Sequence, residues 1–129
     1  MHAGRPTFDE TSKTIYTVFD ETVRRICWMQ IISDVHQQAK QYPDTIHIIH
    51  DFRTVQYRMM PTSLRHALQL AKDVPENVGT YIILTNNRLI EFVGQTVINL
   101  MPHTQHKIAF TTTREAADQI ISRFGQSQE

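Results

Sequence analysis

The chain lacks several features that would point to a ready-made chemistry. It has one cysteine, Cys27, in 129 residues, so no internal disulfide can form, and the neighbours Ile26 and Trp28 suggest a buried thiol in a reducing compartment. Its four glycines, Gly4, Gly79, Gly94 and Gly125, provide no glycine-rich turn that could cradle a phosphate. No apolar run approaches the ~18 residues needed to span a bilayer. The opening MHAGRPTFDETSK has no apolar signal-peptide core, so the expectation is a cytoplasmic protein without a membrane span. Charge of one sign is lacking too. Thirteen Lys plus Arg balance thirteen Asp plus Glu, which leaves no net field to draw in nucleic acid.

What is present is one domain's worth of patterned sequence, long enough to bury about two-thirds of its unfolded surface. Residues 1–12 are polar and unpatterned, and are expected to be a flexible arm; 13–124 form the domain; 125–129, GQSQE, form a tail. Ile15 to Phe19, a turn at Asp20-Glu21-Thr22, and Val23 to Trp28 read as a hairpin of two strands. From an N-cap at Ser33, the residues Ile32, Val35, Ala39 and Tyr42 recur at helical spacing until Pro43. Residues 45–51, TIHIIHD, are a β-branched, nearly continuous apolar run, as in a strand covered on both faces.

The second helix opens at Pro61 and carries the stripe Leu64, Ala67, Leu68, Ala71 and Val74. Residues 80–85 form the next strand. Asn86 or Asn87 then caps a helix facing inward with Leu89, Ile90, Val93, Val97, Leu100 and Met101. Residues 107–111 form the last strand. A threonine run caps a final helix with Ala116, Ala117, Ile120, Ile121 and Phe124 inward and Gly125 at its end. The order is ββαβαβαβα: an α/β fold with a mostly parallel five-stranded sheet, an antiparallel edge hairpin and four helices.

Seven histidines raise the question of a metal or a proton-transfer site. On a strand His47 and His50 point to opposite faces, and His47 and Asp51 lie about 13 Å apart along one face, so HIIHD is no chelate unless bulged. They read as hydrogen-bonded core histidines, with a ligand role as the alternative. His103 and His106 lack a third ligand, and His36 and His66 read as solvated helix flanks. No catalytic motif, metal site or cofactor site is expected, and the chain reads as a non-enzyme.

The segment VQYRMMPTS, 55–63, is the distinctive one, placed after the central strand where open α/β sheets keep their binding crevices. Met59 and Met60 either plug the core or, with Tyr57 and Arg58, form an adaptable contact surface at a helix start that favours anionic groups.

This succession, with Asp51 ending the central strand and a hydroxyl-capped helix after it, resembles the STAS superfamily, whose members include bacterial anti-sigma-factor antagonists. The likeness covers about 13–124 and is closest to the divergent branch related in fold to CRAL-TRIO domains. It implies a bacterial signalling domain that binds a protein partner, such as an anti-sigma-factor or kinase-like regulator, through 55–68. The contact residues would be Tyr57, Arg58, Met59, Met60, Thr62 and Ser63. In the antagonists a serine at the helix start is phosphorylated. An ungapped alignment puts Met60 and Pro61 there, so the role falls to Thr62 or Ser63 only across a longer loop. The alternative is a lipid or small-molecule carrier with a pocket under the 86–101 helix. Phe92 and Ile98, off that helix's inner stripe, would suit a homodimer surface.

Overall fold

The computed structural model describes residues 4–20, 23, 25–55, 64–101 and 107–127. Among them the chain runs β1 (Thr7–Asp9), β2 (Thr14–Val18), α1 (Arg25–Lys40), β3 (Ile46–Asp51), α2 (Leu64–Lys72), β4 (Val78–Leu84), α3 (Arg88–Leu100), β5 (Ile108–Thr111) and α4 (Arg114–Ser127). The strands form one sheet in the order β1-β2-β3-β4-β5, with β1 antiparallel to β2 and the later pairs parallel. The expected ββαβαβαβα fold class is the observed one. No described helix is long and apolar enough to cross a membrane.

The hairpin, however, is a different one. Of the expected second strand, residues 25–28 are the start of α1; the antiparallel edge comes instead from β1, inside the segment expected to be a loose arm. Asp9 shapes the turn by accepting from the Thr11 and Ser12 amides at 2.9 and 3.4 Å, and Lys13 completes it at φ 54°. Phe8 then stacks on Tyr42 at 4.5 Å. In α1 the buried residues Trp28, Ile32, Val35 and Ala39 keep a helical period, while Cys27, Gln30, Asp34 and Gln37 face out. Ser33 therefore lies mid-helix rather than at its cap, and Cys27, expected in the core, is exposed.

Two layers cover the sheet. On one face Ile15, Ile46, Ile48 and Tyr81 pack under α1, and Phe19 and Phe52 pack with Trp28 and Ile32 of α1 and Ile90 of α3. On the other face Tyr16, Ile49, Ile82 and Leu84 lie under Ala117, Ile120 and Ile121 of α4. Every residue of β3 is buried, as expected of a central strand. Thr113 caps α4, its hydroxyl accepting from the Ala116 amide at 3.1 Å, and the helix runs through Gly125 instead of stopping there.

The face of α3 differs in detail from the expected stripe. Ile90, Val97, Ile98 and Met101 are buried, whereas Leu100 is exposed, as is Phe92. Ile98, expected off the inner stripe, is thus a core residue. Under the same helix the Phe110 ring lies so close to Gly94 that a Cβ there would be 2.0 Å from its Cζ.

Candidate functional site

The carboxyl ends of the parallel strands are where such sheets present their loops, and β3 ends there on Asp51. Its neighbour in sequence, Phe52, turns into the core, which directs Arg53 back over the Asp51 carboxylate. The guanidinium donates to both oxygens, Nε to Oδ1 at 3.0 Å and Nη2 to Oδ2 at 2.8 Å, and the Arg53 amide adds a bond to Oδ1 at 3.1 Å. From β2, the Tyr16 hydroxyl donates to Oδ2 at 2.5 Å. Arg114, at the start of α4, lies 4.3 Å above the Tyr16 ring.

These contacts set the charges. Burial pushes the Asp51 carboxyl up, but the hydrogen bonds from Arg53 and Tyr16 outweigh it, and the group titrates below the ordinary carboxylate range. Burial and the bond to Asp51 raise the Tyr16 phenol. The bond to Asp51 likewise raises Arg53, so the cluster is a fixed ion pair at neutral pH.

Two bonds then anchor the chain beyond it. The Thr54 hydroxyl donates to the Phe19 carbonyl at 3.3 Å, and the amide of buried Val55 donates to the Phe52 carbonyl at 3.0 Å. The contact residues named from sequence, Tyr57, Arg58, Met59, Met60, Thr62 and Ser63, lie outside the described residues, as do His103 and His106.

The histidines of β3 divide as the strand period requires. His47 faces α4, bonding Thr80 Oγ1 through Nδ1 at 2.8 Å and meeting Phe124 edge-on, with Gly79 leaving room for both rings. His50 faces the other way, with Nε2 2.7 Å from the Tyr81 hydroxyl. Sequence reasoning missed the third member: His36, expected to be solvated, is fully buried, with Nε2 2.8 Å from the same hydroxyl and Nδ1 3.2 Å from Asp73. Its place one residue after Val35 and four after Ile32, on the buried face of α1, was the available signal.

Burial lowers all three histidines, His50 to about 3, and raises Tyr81. Among the described residues no three His, Cys, Asp or Glu side chains gather as a metal site. Asp73 also borders a cleft of 480 Å³ between α1 and α2, lined by Met29, Ser33, Gln37, Gln69 and Leu70 among others. Compared with family models, curated proteins and solved structures, the chain has no significant match.

Proposed function

We propose that the protein is a non-enzymatic, STAS-like signalling domain of bacterial regulatory type, which binds a protein partner through the loop and helix following the central strand, 55–68. The observation that carries this reading is the Asp51 clamp. A buried carboxylate held by Arg53 and Tyr16, with Val55 anchored behind it, fixes the point from which the proposed contact segment leaves the sheet. A rigid base lowers the conformational cost of ordering a contact loop on binding. The order of elements is the one the resemblance implies. A partner of anti-sigma-factor or kinase-like type, with Thr62 or Ser63 as a phosphorylation site, belongs to the same reading. The carrier alternative gains nothing from the packing of α3, where Phe110 is pressed against Gly94.

The test replaces Tyr57, Arg58 and Met59 together by alanine and compares thermal melting with partner capture from host lysate, the captured protein being identified by mass spectrometry. The expected result is a folded variant, changed by less than about 0.5 kcal/mol per surface position, that no longer captures the partner. Large destabilisation would mean that the side chains plug the core. Retained capture by a folded variant would remove the segment from the interface. Thr62→Asp and Ser63→Asp test the modification: a negative charge at the helix start is expected to alter capture while leaving the fold intact.

A further inference from the structure

Four polar side chains outside the partner-binding reading form one line beneath α1. Asp73 Oδ2 is 3.2 Å from His36 Nδ1, His36 Nε2 is 2.8 Å from the Tyr81 hydroxyl, and that hydroxyl is 2.7 Å from His50 Nε2. His36 and His50 are fully buried and Tyr81 nearly so, while the Asp73 side chain is 40% exposed at the α1/α2 cleft.

Donor and acceptor chemistry gives the line a direction. A carboxylate only accepts, so neutral His36 carries its proton on Nδ1 and offers Nε2 as an acceptor. Tyr81 must then donate to His36, and its oxygen receives the Nε2 proton of His50. His50 Nδ1 is left as a lone pair, and among the described residues it is one of the buried polar atoms with no partner. Another is the hydroxyl of Thr17, the residue paired with His50 across the β2–β3 register, and no hydrogen bond joins the two.

We propose that this line is a proton-linked sensor that couples charge at Asp73, in the α1/α2 cleft, to the tautomer of His50 in the central strand. Its two states differ by one proton. In the acid state the added proton resides on His50 Nδ1, the former Nε2 proton of His50 is on the Tyr81 oxygen, and the former Tyr81 proton is on His36 Nε2. Both histidine–tyrosine bonds are reversed, Tyr81 remains neutral, and the positive charge rests on His36 against the Asp73 carboxylate. That location favours the charge, whereas the surroundings of His50, Phe19 and Phe52, offer it no counter-ion. The groups facing His36 are Asp73, Tyr81 and, on its own helix, Lys40, whose ammonium is 3.9 Å from Asp73 and opposes the added charge. His50 is faced by Tyr81 and, beyond that hydroxyl, by His36, whose charge in the acid state opposes a second proton on His50.

The experiment is ¹⁵N NMR of the full chain labelled at histidine. At pH 7.5 His36 is expected as the Nδ1–H tautomer and His50 as the Nε2–H tautomer; the same tautomer at both would overturn the proposal. On acidification His50 is expected to convert to Nδ1–H with the same midpoint as formation of the His36 imidazolium, and an unchanged His50 beside a titrating His36 would also overturn it. Asp73→Asn, at a partly exposed position, is expected to move both midpoints down together by about 1 pH unit or more, the loss of one opposite charge. A shift at His36 alone would break the coupling. Should the chain unfold before either histidine titrates, the folded protein never reaches the acid state and the proposal is overturned.

Discussion

Asp51 is held by the Tyr16 hydroxyl, the Arg53 guanidinium and the Arg53 amide. Asp51→Ala would leave the buried Tyr16 hydroxyl without its acceptor and Arg53 without its counter-ion. Breaking a buried pair costs about 3–5 kcal/mol, and the lower end is expected because Arg53 is one-third exposed and can turn to water. Arg53→Ala is expected to cost less, about 1–2 kcal/mol, since Asp51 keeps bonds from Tyr16 and from the backbone amide at position 53. Urea unfolding of both variants checks the order; equal losses would show that Tyr16 contributes little. For the histidines, opposite-facing His47 and His50 and the absence of a three-ligand cluster among the described residues lead to a second expectation. EDTA should leave the melting temperature unchanged, whereas a structural zinc contributes on the order of 10 kcal/mol to folding and its removal would lower the midpoint.

At the scale of elements, the contact between α3 and β5 decides how closely that helix can lie on the sheet. Alanine at a helical glycine ordinarily gains about 1 kcal/mol in propensity. At Gly94 the new Cβ would stand 2.0, 2.7 and 2.9 Å from three atoms of the Phe110 ring, so ring or helix must shift. Overpacking of this kind costs about 1–3 kcal/mol, and Gly94→Ala is expected to destabilise the protein despite its propensity. Combining it with Phe110→Leu is expected to recover part of the loss. A double-mutant cycle in urea measures the coupling, and additive effects would mean that the ring has room to move away.

For the whole molecule, the buried histidines govern the response to acid. His36, His47 and His50 all have folded pKa values below the ordinary 6.5, burial being the largest cause in each. The unfolded chain therefore binds more protons than the folded one once the pH drops below about 6.5. The stability they confer is complete above that pH and is lost as the pH falls, for His50 down to about 3. Asp51, also depressed, extends the loss below the ordinary carboxylate range. Melting temperatures are expected to be level between pH 7 and 8 and to fall steadily from pH 6.5 to 4.5. Replacing His47, the one of the three outside the Tyr81 line, by glutamine should flatten that slope. A melting temperature independent of pH down to 5 would show that these rings are protonated in the folded chain.

By itself the sequence determined the fold class, the buried central strand and the alternation of strand and helix that follows it, because a segment with one or two covered faces shows that burial in its own apolar period. Thr113 as a cap and the opposed faces of His47 and His50 followed from equally local geometry. Tertiary structure decided what local signals left ambiguous. The segment Val23 to Trp28, with Val23, Ile26 and Trp28 around two arginines, suits a strand or a helix, and from Arg25 it became α1 because Trp28, Ile32, Val35 and Ala39 together make one face against the sheet. The strand that then pairs with β2 came from a polar segment whose pairing requires only backbone groups and a turn at Asp9. The meeting of His36, Tyr81 and His50 was likewise beyond the sequence: it needs the rotation of α1 and the register of β3 on β4, which are set by packing among residues 31 to 45 positions apart in the chain.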